Sequence, residues 1–97
     1  MTKTLHNSDA SRATKNVKDI QFYGDGDLFQ LICKASSKEE GWMKSTKVME
    51  IHDVGCVIQC TTQQGDNVAE AVCFVPNVRV VKDASGNRKI MQAREVK

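Results

Sequence analysis

Cys33, Cys56, Cys60 and Cys73, together with His6 and His52, are the residues whose types could carry nucleophilic, redox or metal chemistry. Their spacing argues against all three. Cys56-x-x-x-Cys60 departs from zinc-ribbon spacing, and no second cysteine pair lies nearby. Four positions apart on a strand, the two would point the same way at roughly 13 Å separation, too far to share one ion. A metal would need Cys33 and Cys73 to converge on them, so no metal site and no cofactor are expected. Each cysteine sits in an apolar run: Leu31-Ile32-Cys33, Cys56-Val57-Ile58-Gln59-Cys60 and Val72-Cys73-Phe74. Free cysteine packs as a small hydrophobe, so the expected role is core packing as reduced thiols. His52 stands beside Asp53 in a turn and His6 lies in a polar stretch. Neither has a nucleophile to activate. No catalytic residues are expected, and the protein is read as a binder, not an enzyme.

Two further motifs fall short of ligand sites. Asp25-Gly26-Asp27 lacks the alternating ligands and distal Glu of a calcium loop. Gly41-Trp42-Met43-Lys44-Ser45-Thr46 ends like a phosphate loop but lacks its glycines. The same stretch is the best candidate contact surface. Trp42 and Lys44 share one face of an expected strand, with Met43, Lys47 and Met49 as neighbours. A lone tryptophan anchors an interface or offers a stacking platform for a nucleobase.

Charge is distributed unevenly around a net of +2. Residues 1–18 carry Lys3, Arg12, Lys15 and Lys18 against Asp9, a net +3. Residues 79–97 carry Arg79, Lys82, Arg88, Lys89, Arg94 and Lys97 against Asp83 and Glu95, a net +4. The intervening body is therefore −5. Basic ends on an acidic body suit either solubility or an anionic partner. Arg79 and Lys82, with Lys44, are the candidate phosphate contacts.

The elements that position these residues read as β. Residues 1–16 show no periodicity beyond one possible helical turn at 11–16, and are expected to be a flexible or partner-ordered arm. Residues 17–97 are expected to form one β domain. Alternating runs follow at Val17–Tyr23, Leu28–Ala35, Trp42–Ile51, Val54–Thr62, Val68–Val75, Val78–Val81 and Arg88–Val96. Turn chemistry separates them: Gly24-Asp25-Gly26-Asp27, Ser36 to Gly41, His52-Asp53, Gln63 to Asn67, Pro76-Asn77 and Asp83 to Asn87. Connections this short favour antiparallel neighbours and exclude parallel crossovers. The fold expected is mainly β: an antiparallel meander of six or seven short strands, closed as a small barrel or stacked as a sandwich. Two inward faces are expected, Phe29-Leu31-Cys33-Ala35 and Val54-Cys56-Ile58-Cys60.

Only five of 97 residues are aromatic: Phe22, Tyr23, Phe29, Trp42 and Phe74. A core built on small aliphatics, Met and Cys is thin, and self-association would supply the missing burial, so a homo-oligomer is expected. No apolar run resembles an export signal or reaches membrane-spanning length, so a cytoplasmic protein without a membrane role is expected.

Gly24-Asp25-Gly26-Asp27-Leu28-Phe29-Gln30-Leu31, Gly41-Trp42-Met43-Lys44-Ser45-Thr46-Lys47 and Thr61-Thr62-Gln63-Gln64-Gly65-Asp66 resemble small tailed-bacteriophage proteins of unknown function. The similarity spans most of residues 15–80 and contains no mechanistic motif. It implies a phage product acting in the infected bacterium's cytoplasm, or a minor virion component. The leading expectation is a non-enzymatic interaction protein that binds, with inhibition as its effect, a host protein or other macromolecule. The alternatives are single-stranded nucleic-acid binding, sequestration of a nucleotide-like small molecule at a subunit boundary, and a structural role in the virion.

Overall fold

A computed structural model describes residues 9–93. Six strands follow one helical turn, α1 (Ala10–Ala13): β1 (Gln30–Ser37), β2 (Trp42–Ile51), β3 (Gly55–Gln64), β4 (Asn67–Pro76), β5 (Val78–Lys82) and β6 (Arg88–Gln92). The first four form an antiparallel meander in the order β1-β2-β3-β4, and β5–β6 form a separate hairpin. The protein is therefore mainly β. The four-stranded sheet does not close, since β1 and β4 remain its edges, so the layered alternative holds and the barrel does not. The hairpin lies across β3, β2 and β1.

Turn chemistry explains the meander. Gly65 (φ +60°) turns the chain between Gln64 and Asn67, which pair directly across the hairpin. Gly55 is needed for another reason. A Cβ there would stand 2.3 Å from the Val75 carbonyl oxygen and 2.8 Å from Pro76 Cα. Only glycine lets the end of β4 seat this closely against β3. Asn77 (φ 62°) then swings the chain out of the first sheet into β5.

The expected strand over Val17–Tyr23 does not form. Residues 17–29 carry no regular structure apart from the turn closed by Gly26 N–H donating to Tyr23 O (2.9 Å). The alternation there sets Asp19 and Gln21 against Lys18, leaving no continuous apolar face to bury. The strand expected over Leu28–Ala35 forms two residues later: β1 runs from Gln30 to Ser37 and is interrupted by a bulge between Leu31 and Cys33. The bulge inserts one residue and flips the alternation. Leu31 therefore pairs with Lys47 and Cys33 with Thr46, on opposite faces, so the Phe29-Leu31-Cys33-Ala35 face is not a unit.

The sheet has two faces. Face A carries Met43, Ser45, Lys47 and Met49 of β2, Val57, Gln59, Thr61 and Gln63 of β3, and Val68, Glu70, Val72 and Phe74 of β4. Face B carries Trp42, Lys44, Thr46 and Val48, then Cys56, Ile58, Cys60 and Thr62, then Ala69, Ala71, Cys73 and Val75. The β5–β6 hairpin covers one half of face B. There Val48 and Cys56 are fully buried, the Cys56 thiol meets Val78 O at 3.6 Å, and Val80 N–H donates to Glu50 Oε1 at 2.7 Å. Burial, then Glu50's charge, push the Cys56 thiol pKa up.

Met43, Val48 and Cys56 are the fully buried apolar side chains among the described residues. At about 1.5–3 kcal/mol for each larger side chain, that core is as thin as composition implied. Core packing does not extend to the other three cysteines: Cys33, Cys60 and Cys73 are exposed. All three lie on the part of face B that the hairpin does not reach, and Val54, expected inward with Cys60, is exposed too. Buried polar groups complete the interior on face A, where Gln63 Nε2 donates to Gly65 O at 2.9 Å and Thr61 Oγ1 to Glu70 Oε1 at 3.4 Å.

Of the arm expected over 1–16, residues 1–8 lie outside the described residues. Residue 9 is anchored. Asp9 is buried; its Oδ1 accepts from Leu31 N–H, and its Oδ2 pairs with Arg88 Nη1 at 3.0 Å and Arg12 Nε at 3.4 Å. Arg88 Nη1 also donates to Leu31 O at 2.7 Å.

Candidate functional site

The uncovered half of face B holds a shallow groove of about 430 Å³, lined by Cys33, Lys34, Ala35, Lys44, Ser45, Thr46, Cys60, Thr61 and Thr62. Register places these residues together. Cys33 pairs with Thr46 across β1–β2, and Thr46 with Cys60 across β2–β3. Lys44 pairs with Ala35 on one side and Thr62 on the other. The floor is small and weakly polar: Thr46 of β2 and Thr62 of β3 supply its hydroxyls and Lys44 of β2 its cation, whereas Lys34, Ser45 and Thr61 turn their side chains to face A.

Trp42 borders this groove at the start of β2. Its indole Nε1 donates to Glu40 Oε1 at 3.1 Å, and Lys44 Nζ lies 6.0 Å from its ring centroid. That distance is at the outer limit of a cation–π contact. The tip is held by the Ser37–Gly41 turn, where Gly41 N–H donates to Ser37 O at 2.8 Å. Gly65 N–H in turn donates to Gly41 O at 2.8 Å, tying the two hairpin tips together.

The expected contact residues separate into several locations. Trp42 and Lys44 share face B, half-buried and exposed respectively. Met43 is 1% exposed and belongs to the core, so it offers no contact surface; alternation forces it to the opposite face from its two neighbours. Lys47 is half-buried on face A, away from Trp42. Arg79 and Lys82 are exposed on β5, in the second layer, and three positions apart they point to opposite sides of the hairpin. Arg79 borders a smaller cleft of about 180 Å³ with Glu50, His52, Asp53 and Asn77. A single basic track joining Trp42, Lys47, Arg79 and Lys82 is not formed.

Reasoning from the sequence missed Thr46, Thr62 and the exposed pair Cys33 and Cys60. Alternation from Lys44 would have found Thr46, but only the bulge in β1 brings Cys33 to the same face.

The remaining chemistry is sparse. His52 Nε2 lies 3.3 Å from Asp53 Oδ2, both side chains almost fully exposed, at the far end of β2 from the groove. Among the described residues no three His, Cys, Asp or Glu side chains cluster to hold a metal ion, and no helix is long and apolar enough to cross a membrane. No curated protein and no solved structure matches the chain. A family model matches residues 1–91, nearly the whole sequence, and the chain accordingly belongs to the Lockin family.

Proposed function

We propose that this protein is a non-enzymatic binding protein that sequesters a small, nucleotide-like anion in the groove on the open half of face B, acting as a homo-oligomer. The observation that carries this reading is the convergence of Lys44, Thr46 and Thr62 on one face around a groove of about 430 Å³ beside Trp42. That volume lies within the range of small-molecule sites, about 300–1,000 Å³. The Lys44 ammonium acts as a point charge for phosphate, threonine hydroxyls suit ribose or phosphate oxygens, and an indole accepts a base by stacking. The exposed His52–Asp53 pair stands at the other end of β2, so capture without turnover is the simplest chemistry of the groove.

Mass spectrometry of the protein denatured after purification from infected cells should release a phosphate-bearing small molecule. Lys44→Ala should abolish that release while leaving the β-type circular dichroism intact. A wild-type protein that releases nothing, and whose melting temperature is unmoved by nucleotides, would sink the reading. The cellular setting, the cytoplasm of a bacterium infected by a tailed phage, rests on the sequence resemblance alone.

A host protein target is the second reading. Its support is the irregular segment 17–29, where Phe22, Tyr23 and Leu28 are exposed, Tyr23 to 95%. Large unpartnered aromatics are the usual anchors of protein interfaces. A stoichiometric partner recovered from bacterial lysate by the wild type, and lost with Phe22→Ala and Tyr23→Ala, would favour it.

A further inference from the structure

The outer edge of β4 is long, apolar and open. β4 has one strand neighbour, β3, and of its ten residues only Val75 is even half-buried. Val68, Val72 and Phe74 are 56%, 59% and 48% exposed, and Glu70 is the single charge between Asn67 and Pro76. Pro76, opposite Gly55, has no amide proton, so in this ladder its nitrogen must face away from β3. Directions alternate along a strand, so Phe74, Val72, Glu70 and Val68 also direct their amides and carbonyls outward. A long apolar edge with free ladder groups is a template for another strand, and natural proteins blunt or occupy such edges.

We propose that the occupant is β4 of a second copy of this chain, paired antiparallel about a two-fold axis at Val72 to give a continuous eight-stranded sheet. Two observations single out a copy of the same chain. First, the other edge is plugged at Leu31, whose amide and carbonyl are taken by Asp9 and Arg88, with the bulge and Lys34 beside them. A strand laid along the whole of β1 would have to displace that ion pair, which favours the isologous, self-limiting pairing of β4. Second, β4 is self-complementary. With Val72 opposite its own copy, each Glu70 faces Phe74 of the partner subunit, and the two carboxylates stand apart. A register centred on Glu70 would set like charges directly opposite. This pairing stands independently of any ligand in the groove.

Sedimentation and light scattering should give twice 10.8 kDa. Hydrogen exchange should show the Glu70, Val72 and Phe74 amides protected at high protein concentration and exchanging freely on dilution. Val72→Pro removes an outward amide without touching the β3 ladder. It should weaken dimerisation at least about thirtyfold, the scale of an interface hot spot, with its circular dichroism unchanged. Val72→Lys should do the same, and decides the matter if the proline variant fails to fold. A wild type that stays at 10.8 kDa up to millimolar concentration overturns the proposal. So does a dimer that survives both folded variants, or an open-ended polymer.

Discussion

At one margin of the four-stranded sheet, the Leu31 amide donates to Asp9 and the Leu31 carbonyl accepts from Arg88, so a carboxylate and a guanidinium stand where a neighbouring strand would. At the other margin, β4 runs ten residues from Asn67 to Pro76 with almost nothing covering it. The first edge is finished with buried charge drawn from residues 22 and 57 positions away in sequence. The second is left apolar and straight. What separates them is long-range chemistry: both strands are hydrophobic and both sit at an edge. A small sheet can thus direct its mode of assembly by plugging one margin and leaving the other open.

The largest expected effect comes from breaking the plug. Asp9 and Arg88 have side chains 5% and 10% exposed, and Arg88 Nε is buried without a hydrogen-bond partner. Asp9→Ala would leave a buried cation uncompensated, which costs about 3–5 kcal/mol. Urea denaturation should show that loss, and the variant should also form larger assemblies as β1 becomes available. Retained stability would mean that the ion pair is not what finishes this edge.

Gly55→Ala tests the seat of the open edge. The added Cβ would overlap the Val75 carbonyl, displacing the end of β4. A cost of about 1–3 kcal/mol is expected from such overpacking, read as a lower denaturation midpoint together with weaker self-association.

Acid has a smaller effect on the plugged margin. Asp83 caps the β5–β6 turn that precedes Arg88, its Oδ1 accepting from the Asn87 and Ser85 amides, both at 2.9 Å. The Asn87 hydrogen bond, helped by Ser85 and Lys89, holds its pKa below the usual carboxylate value. A depressed folded pKa contributes stability that is present above the unfolded value, near 3.9, and lost as pH falls through the folded value. The protection factors of the Ser85 and Asn87 amides, taken against the intrinsic exchange rate at each pH, should therefore fall below about pH 4, and protection of Leu31 should weaken with them. Asp83→Ala should show the faster exchange at neutral pH.

The smallest effect is one of reactivity. In the native protein an alkylating reagent should label Cys33, Cys60 and Cys73 and leave Cys56 untouched until unfolding, because Cys56 is fully buried and its raised pKa disfavours the thiolate. Dimerisation through β4 should slow Cys73 relative to Cys33. Mass spectrometry of peptides from the labelled protein reads both outcomes.

Much of the architecture was legible in the chain. Turn residues at Gly41, His52-Asp53, Gly65-Asp66, Asn77 and Gly86 punctuate the strands where the sequence places them, because positive φ and tight reversal are local demands. The alternation of β2 through β4 follows from a pleat that repeats every two residues. The candidate site was only half legible. Trp42 and Lys44 share a face as alternation requires, and the same rule sends Met43 and Lys47 to the other side, which separates residues adjacent in sequence.

Local pattern thus determined that this protein would be a short-turned antiparallel β meander with a meagre interior. Tertiary structure decided which half of face B is covered, and hence which cysteines are buried. It also decided where the bulge reverses β1, and that Asp9 and Arg88 meet at Leu31. The physical reason is range. Backbone conformation and alternation are set by neighbours a few residues apart, whereas burial and charge pairing depend on which distant segments arrive at the same place.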